Sequence, residues 1–405
     1  MVATDKRSKI GLALAGGGPV GGIYEVGAMA ALSEALDGLD FTTFDVYVGV
    51  SAGALMSAAV ANGLGPARLA RMLVDNDTED GLDPEMLLRP ALAEYLQRAL
   101  AVPVLFWSSL RQYLSDPWHL GLVESFQGLS HALPTGIFNG VGIDQLLRRW
   151  FSTGGRSNDF RKLKQPLFIV ATDLDTGESV AFGSAGHDDV PISVAVRAST
   201  ALPGLYPPVR IGDRDFVDGG LIKTLHASVA LQAGADLLIC INPLVPFDAR
   251  LAAKRPLAKT STLAPAHLVD GGLPVVLAQT FRAIIHSRMR TGMDRYRHEY
   301  PGKDVVLFEP TRDDAEMFFT NVFSYRARSR LCEHAYQRTR SDLYRRRNEL
   351  RPIFARHGIE MNIAVLKDHT RSLLSRKRRP DLASSASALD SSLHDLEVWL
   401  QTQAA

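Results

Sequence analysis

Cysteine is scarce in this chain of 405 residues, which holds only Cys240 and Cys332. Two cysteines cannot build a disulfide framework, and no Cys/His spacing typical of a zinc site accompanies them. This excludes a secreted disulfide-rich mini-protein and fits a reducing compartment. The long apolar stretch at residues 46–64 is interrupted by serine, asparagine and glycine, whereas a membrane-spanning helix needs roughly 20 apolar residues. We therefore expect no transmembrane segment, and we interpret residues 9–15 as a buried strand rather than part of a signal peptide.

Excess charge is also absent, since the formal net charge is +1, but the charges are unevenly distributed. Residues 1–249 carry 18 Lys/Arg against 27 Asp/Glu, and residues 250–379 carry 27 against 13. Such asymmetry suggests different partners for the two halves. The basic half contains no recognisable nucleic-acid-binding module, so we expect no nucleic acid as a partner.

Apolar segments typical of strands alternate with amphipathic segments typical of helices, which predicts an α/β sandwich with a mostly parallel central sheet. Strands are expected near residues 9–15, 45–48, 166–171, 179–182, 209–211, 216–217, 237–241 and 304–308. Helices are expected near residues 22–36, 54–62, 84–100, 141–151, 223–233, 275–297 and 325–347. We expect a catalytic domain at residues 1–248 with a helical insertion at about 66–151, a basic, mainly helical extension at 249–375, and a flexible or helical tail at 376–405.

The sequence Gly49-Val50-Ser51-Ala52-Gly53 lies between a predicted strand and a predicted helix. Gly-x-Ser-x-Gly is the pattern of the nucleophile elbow, a sharp turn that exposes a serine hydroxyl at the edge of the sheet. Gly49 and Gly53 are needed because side chains there would clash within the turn. The alternative interpretation is a glycine turn with a serine that has no catalytic role.

A second glycine-rich loop, Gly16-Gly17-Gly18-Pro19-Val20-Gly21, follows the first predicted strand. It matches the Gly-x-Gly-x-x-Gly fingerprint of dinucleotide binding, but that fingerprint expects an acid at the end of the next strand, and Asp45 begins its strand. Consecutive glycines can also present bare backbone N–H groups to an oxyanion. With an elbow about 35 residues later we prefer an oxyanion hole, while nucleotide binding and a structural turn remain alternatives.

Asp218-Gly219-Gly220 directly follows the predicted strand at 216–217. A serine nucleophile needs a base, and no histidine lies in a context that marks it as catalytic; His187 and His226 are the candidates for a triad. An aspartate at a strand end could instead contact the serine directly. Asp218 is therefore our candidate base, although such an aspartate alone is more often a turn residue.

These three motifs together resemble the patatin-like phospholipases. The similar stretches are LALAGGGPVGGIYEVGAMAAL at 12–32, VGVSAGAL at 48–55, ASTALP at 198–203 and FVDGGL at 216–221. The resemblance implies a three-layer α/β/α sandwich with Ser51 as nucleophile and Asp218 as base. It also implies an oxyanion hole formed by the amides of Gly16, Gly17 and Gly18, with no cofactor and no metal.

The sequence departs from the family pattern at two places. Val20 stands where the family usually has Arg or Lys, which puts a preference for anionic phospholipids in doubt. After Gly220 the segment 221–226 lacks the Asn and Pro that are common there, so the local packing must differ.

The activity implied is that of a lipid acyl hydrolase of the phospholipase A or lysophospholipase type, with a lipid ester as substrate. The alternatives are a non-lipid esterase or acyltransferase at the same site, a nucleotide-binding α/β protein, and a catalytically idle membrane-associated scaffold. We expect a cytoplasmic protein that contacts the anionic inner membrane surface through its basic C-terminal half, most densely basic in the helix at 325–347. An oligomer is left open.

Overall fold

A computed structural model describes residues 7–74, 135–253, 267–320 and 325–373. The helix predicted at residues 84–100 and the tail predicted at 376–405 lie outside the described residues. All other predicted strands and helices fall within them.

Within the described residues, the centre of the fold is an eight-stranded sheet. Seven strands lie side by side in the order β6-β7-β4-β3-β1-β8-β9, and β5 pairs with β4. The neighbours from β4 to β9 run parallel, whereas β5, β6 and β7 make antiparallel pairs. The strands are β1 (Ile10–Leu14), β3 (Val46–Val50), β4 (Leu167–Asp173), β5 (Ser179–Phe182), β6 (Val209–Ile211), β7 (Arg214–Asp218), β8 (Leu237–Ile241) and β9 (Asp304–Phe308). A separate two-stranded antiparallel sheet joins β2 (Leu36–Asp37) to β10 (Glu360–Met361).

Helices cover both faces of the large sheet, because successive strand residues point to opposite sides. Leu12 and Leu14 of β1 belong to one apolar cluster, whereas Ala13 belongs to another on the opposite face. The helices are α1 (Gly18–Ala35), α2 (Ala52–Ala61), α3 (Pro66–Val74), α4 (Val141–Phe151), α5 (Ile192–Ser199), α6 (Ala227–Gln232), α7 (Ala249–Ala253), α8 (Gly272–Glu299), α9 (Ala315–Phe319), α10 (Tyr325–Arg345), α11 (Arg347–Arg356) and α12 (Ile363–Lys367). The predicted α/β fold with a mostly parallel sheet is confirmed.

Several boundaries differ from the predicted ones for local reasons. Helix α1 begins at Gly18 rather than near residue 22, because proline is well accommodated in the first helical turn, where Pro19 lies. Helix α6 begins at Ala227 rather than near residue 223, since His226 before it adopts a left-handed conformation with φ of 44°. Helix α5 was not predicted, and its β-branched residues show how tertiary packing overrides a weak local preference.

The C-terminal half contributes to the same sheet through β9, which pairs in parallel with β8. Helix α10 packs against α1, and several of its arginines form bonds inside the fold. Arg328 is buried and donates to the Leu73 carbonyl at 3.1 Å, and Arg340 donates to the carbonyls of Val365 and Asp368 at 2.6 Å. The division of the chain at residue 248 stays a prediction.

Within the described part of the chain, the segment Leu268–Glu299, which includes α8, is long and apolar enough to cross a membrane by length and composition alone. This differs from the expectation that the chain lacks such a segment. The apolar residues here are spread among glycine, proline, glutamine and threonine, so no continuous apolar run draws attention in the sequence.

Candidate active site

Ser51 lies at the turn between the carboxyl end of β3 and the start of α2. Its backbone has φ of 54° and ψ of −123°, a region that residues other than glycine rarely adopt. The turn places Ser51 at the N-terminus of α2, where the helix dipole favours developing negative charge. The side chain is almost fully buried. The chain therefore has the strained geometry of a nucleophile elbow at the serine that the motif indicated.

The two elbow glycines are required by close backbone approaches. A Cβ atom added to Gly49 would lie 2.5 Å from the carbonyl oxygen of Gly53. A Cβ added to Gly53 would lie 2.4 Å from the carbonyl oxygen of Leu14. Neither neighbour is a flexible side chain that could move away. These glycines let the elbow pack directly against the end of β1, where the glycine loop begins.

The glycine loop of residues 16–18 lies against the elbow. A Cβ on Gly16 would be 3.0 Å from the Cβ of Ser51, and a Cβ on Gly17 would be 2.7 Å from the ring of Pro243. The amide of Gly21 donates to the Gly17 carbonyl, which closes the first turn of α1. The first N–H groups of a helix have no intrahelical partner, so the start of α1 presents backbone donors next to Ser51.

Asp218 ends β7 and is buried beside Ser51. Burial raises the pKa of Asp218 to about 6, although the nearby Ser51 hydroxyl and the hydrogen bond from the Gly220 amide lower it. The Gly220 amide donates to Oδ1 of Asp218 at 2.8 Å. A Cβ on Gly219 would lie 2.3 Å from the Val170 carbonyl oxygen, so this glycine also allows close packing. A buried carboxylate beside a serine hydroxyl is placed to remove its proton.

Ser199 holds the backbone of Ser51 in place, and the sequence motifs assigned it no role. Its hydroxyl accepts from the Ser51 amide at 2.8 Å and donates to the Val170 carbonyl at 2.6 Å. Two residues later, the carbonyl of Ala201 accepts from the Asp218 amide at 3.0 Å. The signal available in the sequence was the family-like stretch at 198–203, which contains both residues.

Neither candidate histidine forms a hydrogen bond with Ser51 among the described contacts. His226 is buried, its Nε2 lies 3.3 Å from the Gly219 carbonyl, and burial lowers its pKa to about 4. The ring of His187 makes an edge contact with Phe182. Within the described ranges, no group of three or more His, Cys, Asp and Glu side chains is arranged to hold a metal ion.

The fold and this site define an α/β protein with a serine on a nucleophile elbow next to a buried aspartate. The model of the family described as patatin-like phospholipase matches residues 12–231. The chain belongs to this family, as the three motifs indicated. Membership places the chain in a family of lipid hydrolases, and the matched range includes Ser51, Asp218 and the glycine loop.

Among curated proteins, the chain is similar to uncharacterized members of the NTE family. One from Mycobacterium bovis and one from Mycobacterium tuberculosis are each 26% identical over 234 residues, which is 58% of this chain and 30% of theirs. The uncharacterized protein YqhO of Bacillus subtilis is 25% identical over 221 residues, 51% of this chain and 62% of its own. The chain thus spans about a third of the length of the mycobacterial relatives.

Two solved structures give distant matches. VipD from Legionella pneumophila has 16% identity and a TM-score of 0.36, with 83% of this chain and 66% of VipD covered. The type III effector ExoU has 18% identity and a TM-score of 0.34, with 84% of this chain and 53% of ExoU covered. At these scores the matches carry no argument about the site.

Proposed function

We propose that this protein is a lipid acyl hydrolase of the phospholipase A or lysophospholipase type that cleaves carboxylic esters with Ser51 and Asp218. The observation that carries the proposal is the placement of Ser51 on a strained elbow beside the buried Asp218 carboxylate, whose pKa the Ser51 hydroxyl lowers. Family membership supports a lipid ester as the substrate. The cytoplasmic location and peripheral membrane contact stay predictions.

In the proposed reaction, Asp218 takes the hydroxyl proton as the Ser51 oxygen attacks the ester carbonyl carbon. The carbonyl oxygen becomes negative and is stabilised by the amides of Gly17 and Gly18 at the N-terminus of α1. The proton passes from Asp218 to the departing alcohol oxygen, which leaves an acyl-enzyme on Ser51. Asp218 then removes a proton from water, the resulting nucleophile hydrolyses the acyl-enzyme, and Ser51 regains its proton.

A fluorophosphonate probe and ester hydrolysis test this assignment together. We expect the wild-type chain to be labelled at Ser51 and Ser51→Ala to lose the label. Ser51→Ala and Asp218→Asn should each lower ester hydrolysis on the order of a hundredfold or more, and the double variant should be no worse, because nucleophile and base act as a unit. Ser57→Ala is the matched control: Ser57 lies on the same helix but donates to the Val48 carbonyl, and this variant should keep the label.

A folded Asp218→Asn variant that retained more than a tenth of wild-type hydrolysis would contradict the dyad. Labelling at a different serine would contradict Ser51 as the nucleophile. Mass spectrometry of products from a mixed lipid extract would then separate the substrates: release of fatty acids supports the lipid hydrolase, whereas activity on soluble esters alone favours the non-lipid esterase.

A further inference from the structure

Helix α8 and the 3-10 turn before it, Leu268–Gly271, share an exposed apolar surface. The described residues expose eleven large apolar side chains, of which five lie on α8 and one, Val269, lies in that turn. Their spacing of mostly three and four residues places them along one face of a helix. Scattered exposed apolar residues are common on proteins, but a contiguous apolar patch indicates an interaction site. We call this surface the 269–284 face; its members are Val269, Leu273, Val276, Leu277, Phe281 and Ile284.

The opposite side of α8 is hydrogen-bonded to a segment next to the candidate active site. Gln279 accepts from the Phe247 amide at 3.0 Å and donates to the Phe247 carbonyl at 2.7 Å. Phe247 follows Pro243, whose ring packs directly on Gly17 and Gly21 of the glycine loop. One side of α8 is therefore joined to the segment that supports the proposed oxyanion hole.

The same helix also contacts the segment that follows Asp218. Arg288 donates to the Leu221 carbonyl at 2.9 Å, and the Thr224 hydroxyl donates to the Ile285 carbonyl at 3.4 Å. An α-helix with its side chains is about 10 Å across. A surface bound to the 269–284 face would therefore lie about one helix diameter from the two segments beside the site that α8 contacts, one at Phe247 and one at Leu221 and Thr224.

Charge along α8 favours a lipid surface over a second copy of the chain. The helix carries no Lys, Arg, Asp or Glu before Arg282, and its exposed C-terminal half carries four arginines against Asp294 and Glu299. Apolar side chains next to exposed cations suit the acyl boundary and the anionic headgroups of a bilayer. Pairing two copies in parallel along this helix would bring like charges together.

We propose that the 269–284 face docks the protein onto the surface of an anionic bilayer, next to the active site. The helix lies in the interface and does not cross it, because Gln279 on its other side binds the Phe247 backbone and Arg288 binds the Leu221 carbonyl. We assign the membrane contact to α8 rather than to the arginine-rich helix α10, because several α10 arginines form bonds within the fold. The inference rests on the proposed function in one respect, namely that the bilayer holds the substrate.

Vesicle sedimentation of the full chain tests the proposal. We expect wild type to bind mixed phosphatidylcholine–phosphatidylglycerol vesicles more strongly than phosphatidylcholine vesicles. The double variant Leu273→Gln/Phe281→Gln should bind the mixed vesicles on the order of tenfold more weakly, because it removes two apolar side chains from the lipid contact. Its hydrolysis of a short soluble ester and its melting temperature should match wild type.

The matched control is Val141→Gln/Leu174→Gln, which alters two exposed apolar residues on other elements and should leave vesicle binding unchanged. Unchanged binding in the α8 variant would overturn the proposal. So would a wild-type dimer that the α8 variant converts to a monomer while its vesicle binding persists. If wild type hydrolyses no ester yet docks through α8, the proposed function fails and the docking surface stands.

A single-residue probe locates the contact independently of affinity. The tryptophan emission of Phe281→Trp should shift to the blue with mixed vesicles and should be quenched by brominated lipid. The emission of the native tryptophans is measured in wild type and subtracted. Leu174→Trp should show neither change. Equal responses from Phe281→Trp and Leu174→Trp would overturn the proposal.

Discussion

Replacing Asp218 by Asn should abolish ester hydrolysis and yet stabilise the fold at neutral pH. Burial raises the Asp218 pKa from its ordinary value of 3.8 to about 6. An acid whose folded-state pKa is raised contributes stability that is complete below the unfolded-state pKa and is lost as the pH rises through the folded-state pKa. Above pH 7, the pKa difference of about 2 lowers the wild-type free energy of unfolding by about 3 kcal/mol. About 2 kcal/mol of this loss falls between pH 4.5 and pH 7.5.

Urea denaturation at pH 4.5 and at pH 7.5 measures this effect as a difference between variant and wild type. The stability of Asp218→Asn relative to wild type should rise by about 2 kcal/mol between the two values. Asp173→Asn is a control of opposite sign: burial raises the pKa of Asp173, but its bond to Arg214 and two backbone amides outweigh burial and lower it. Because both pH values lie above the ordinary pKa of 3.8, that variant should lose nearly the same stability at both, and the loss should shrink only as the pH falls below about 4.

The kinetics of the wild-type enzyme report the same carboxylate. Because Asp218 must be ionised to act as a base, kcat/KM for a soluble ester should fall as the pH drops below about 6. A pH-independent stability difference in Asp218→Asn, together with activity that persists unchanged to pH 4.5, would refute the reasoning. The carboxylate would then be neither buried in the folded state nor needed in its ionised form.

Two further substitutions test how the site and the basic half are held. Ser199→Ala removes the bonds to the Ser51 amide and the Val170 carbonyl. It should lower the free energy of unfolding, measured by urea denaturation, by about 1–3 kcal/mol, and it should lower kcat with little change in KM. An unaltered kcat would contradict a positioning role. Arg346→Gln removes a hydrogen bond to the Leu307 carbonyl and the ion pairs with Asp342 and Glu349. It should therefore lower the free energy of unfolding by about 1–2 kcal/mol, whereas Arg345→Gln, at a more exposed residue, should lower it by about 0.5 kcal/mol or less. Equal losses, or weakened vesicle binding in either variant, would contradict the structural role given to Arg346.

The sequence by itself determined the features that depend on near neighbours along the chain. The strands Ser179–Phe182, Val209–Ile211, Leu237–Ile241 and Asp304–Phe308 and the helix Val141–Phe151 have the predicted bounds. Apolar periodicity and turn residues decide such elements locally. The elbow at Ser51 belongs with them, because two glycines and a strand-to-helix junction specify its geometry within five residues.

The tertiary structure alone decided which distant residues meet and which surfaces remain open. Asp218 reaches Ser51 only because β7 pairs with β4 and β4 pairs with β3. Ser199 reaches the Ser51 amide from the end of a helix that no local pattern predicted, and Ala201 just after it binds the Asp218 amide. Arginines that look like an exposed basic surface in the sequence bond to carbonyls from other elements. Burial, pKa and exposure are properties of neighbours in space, which local periodicity does not encode; this is why the apolar face of α8 became visible only in the folded chain.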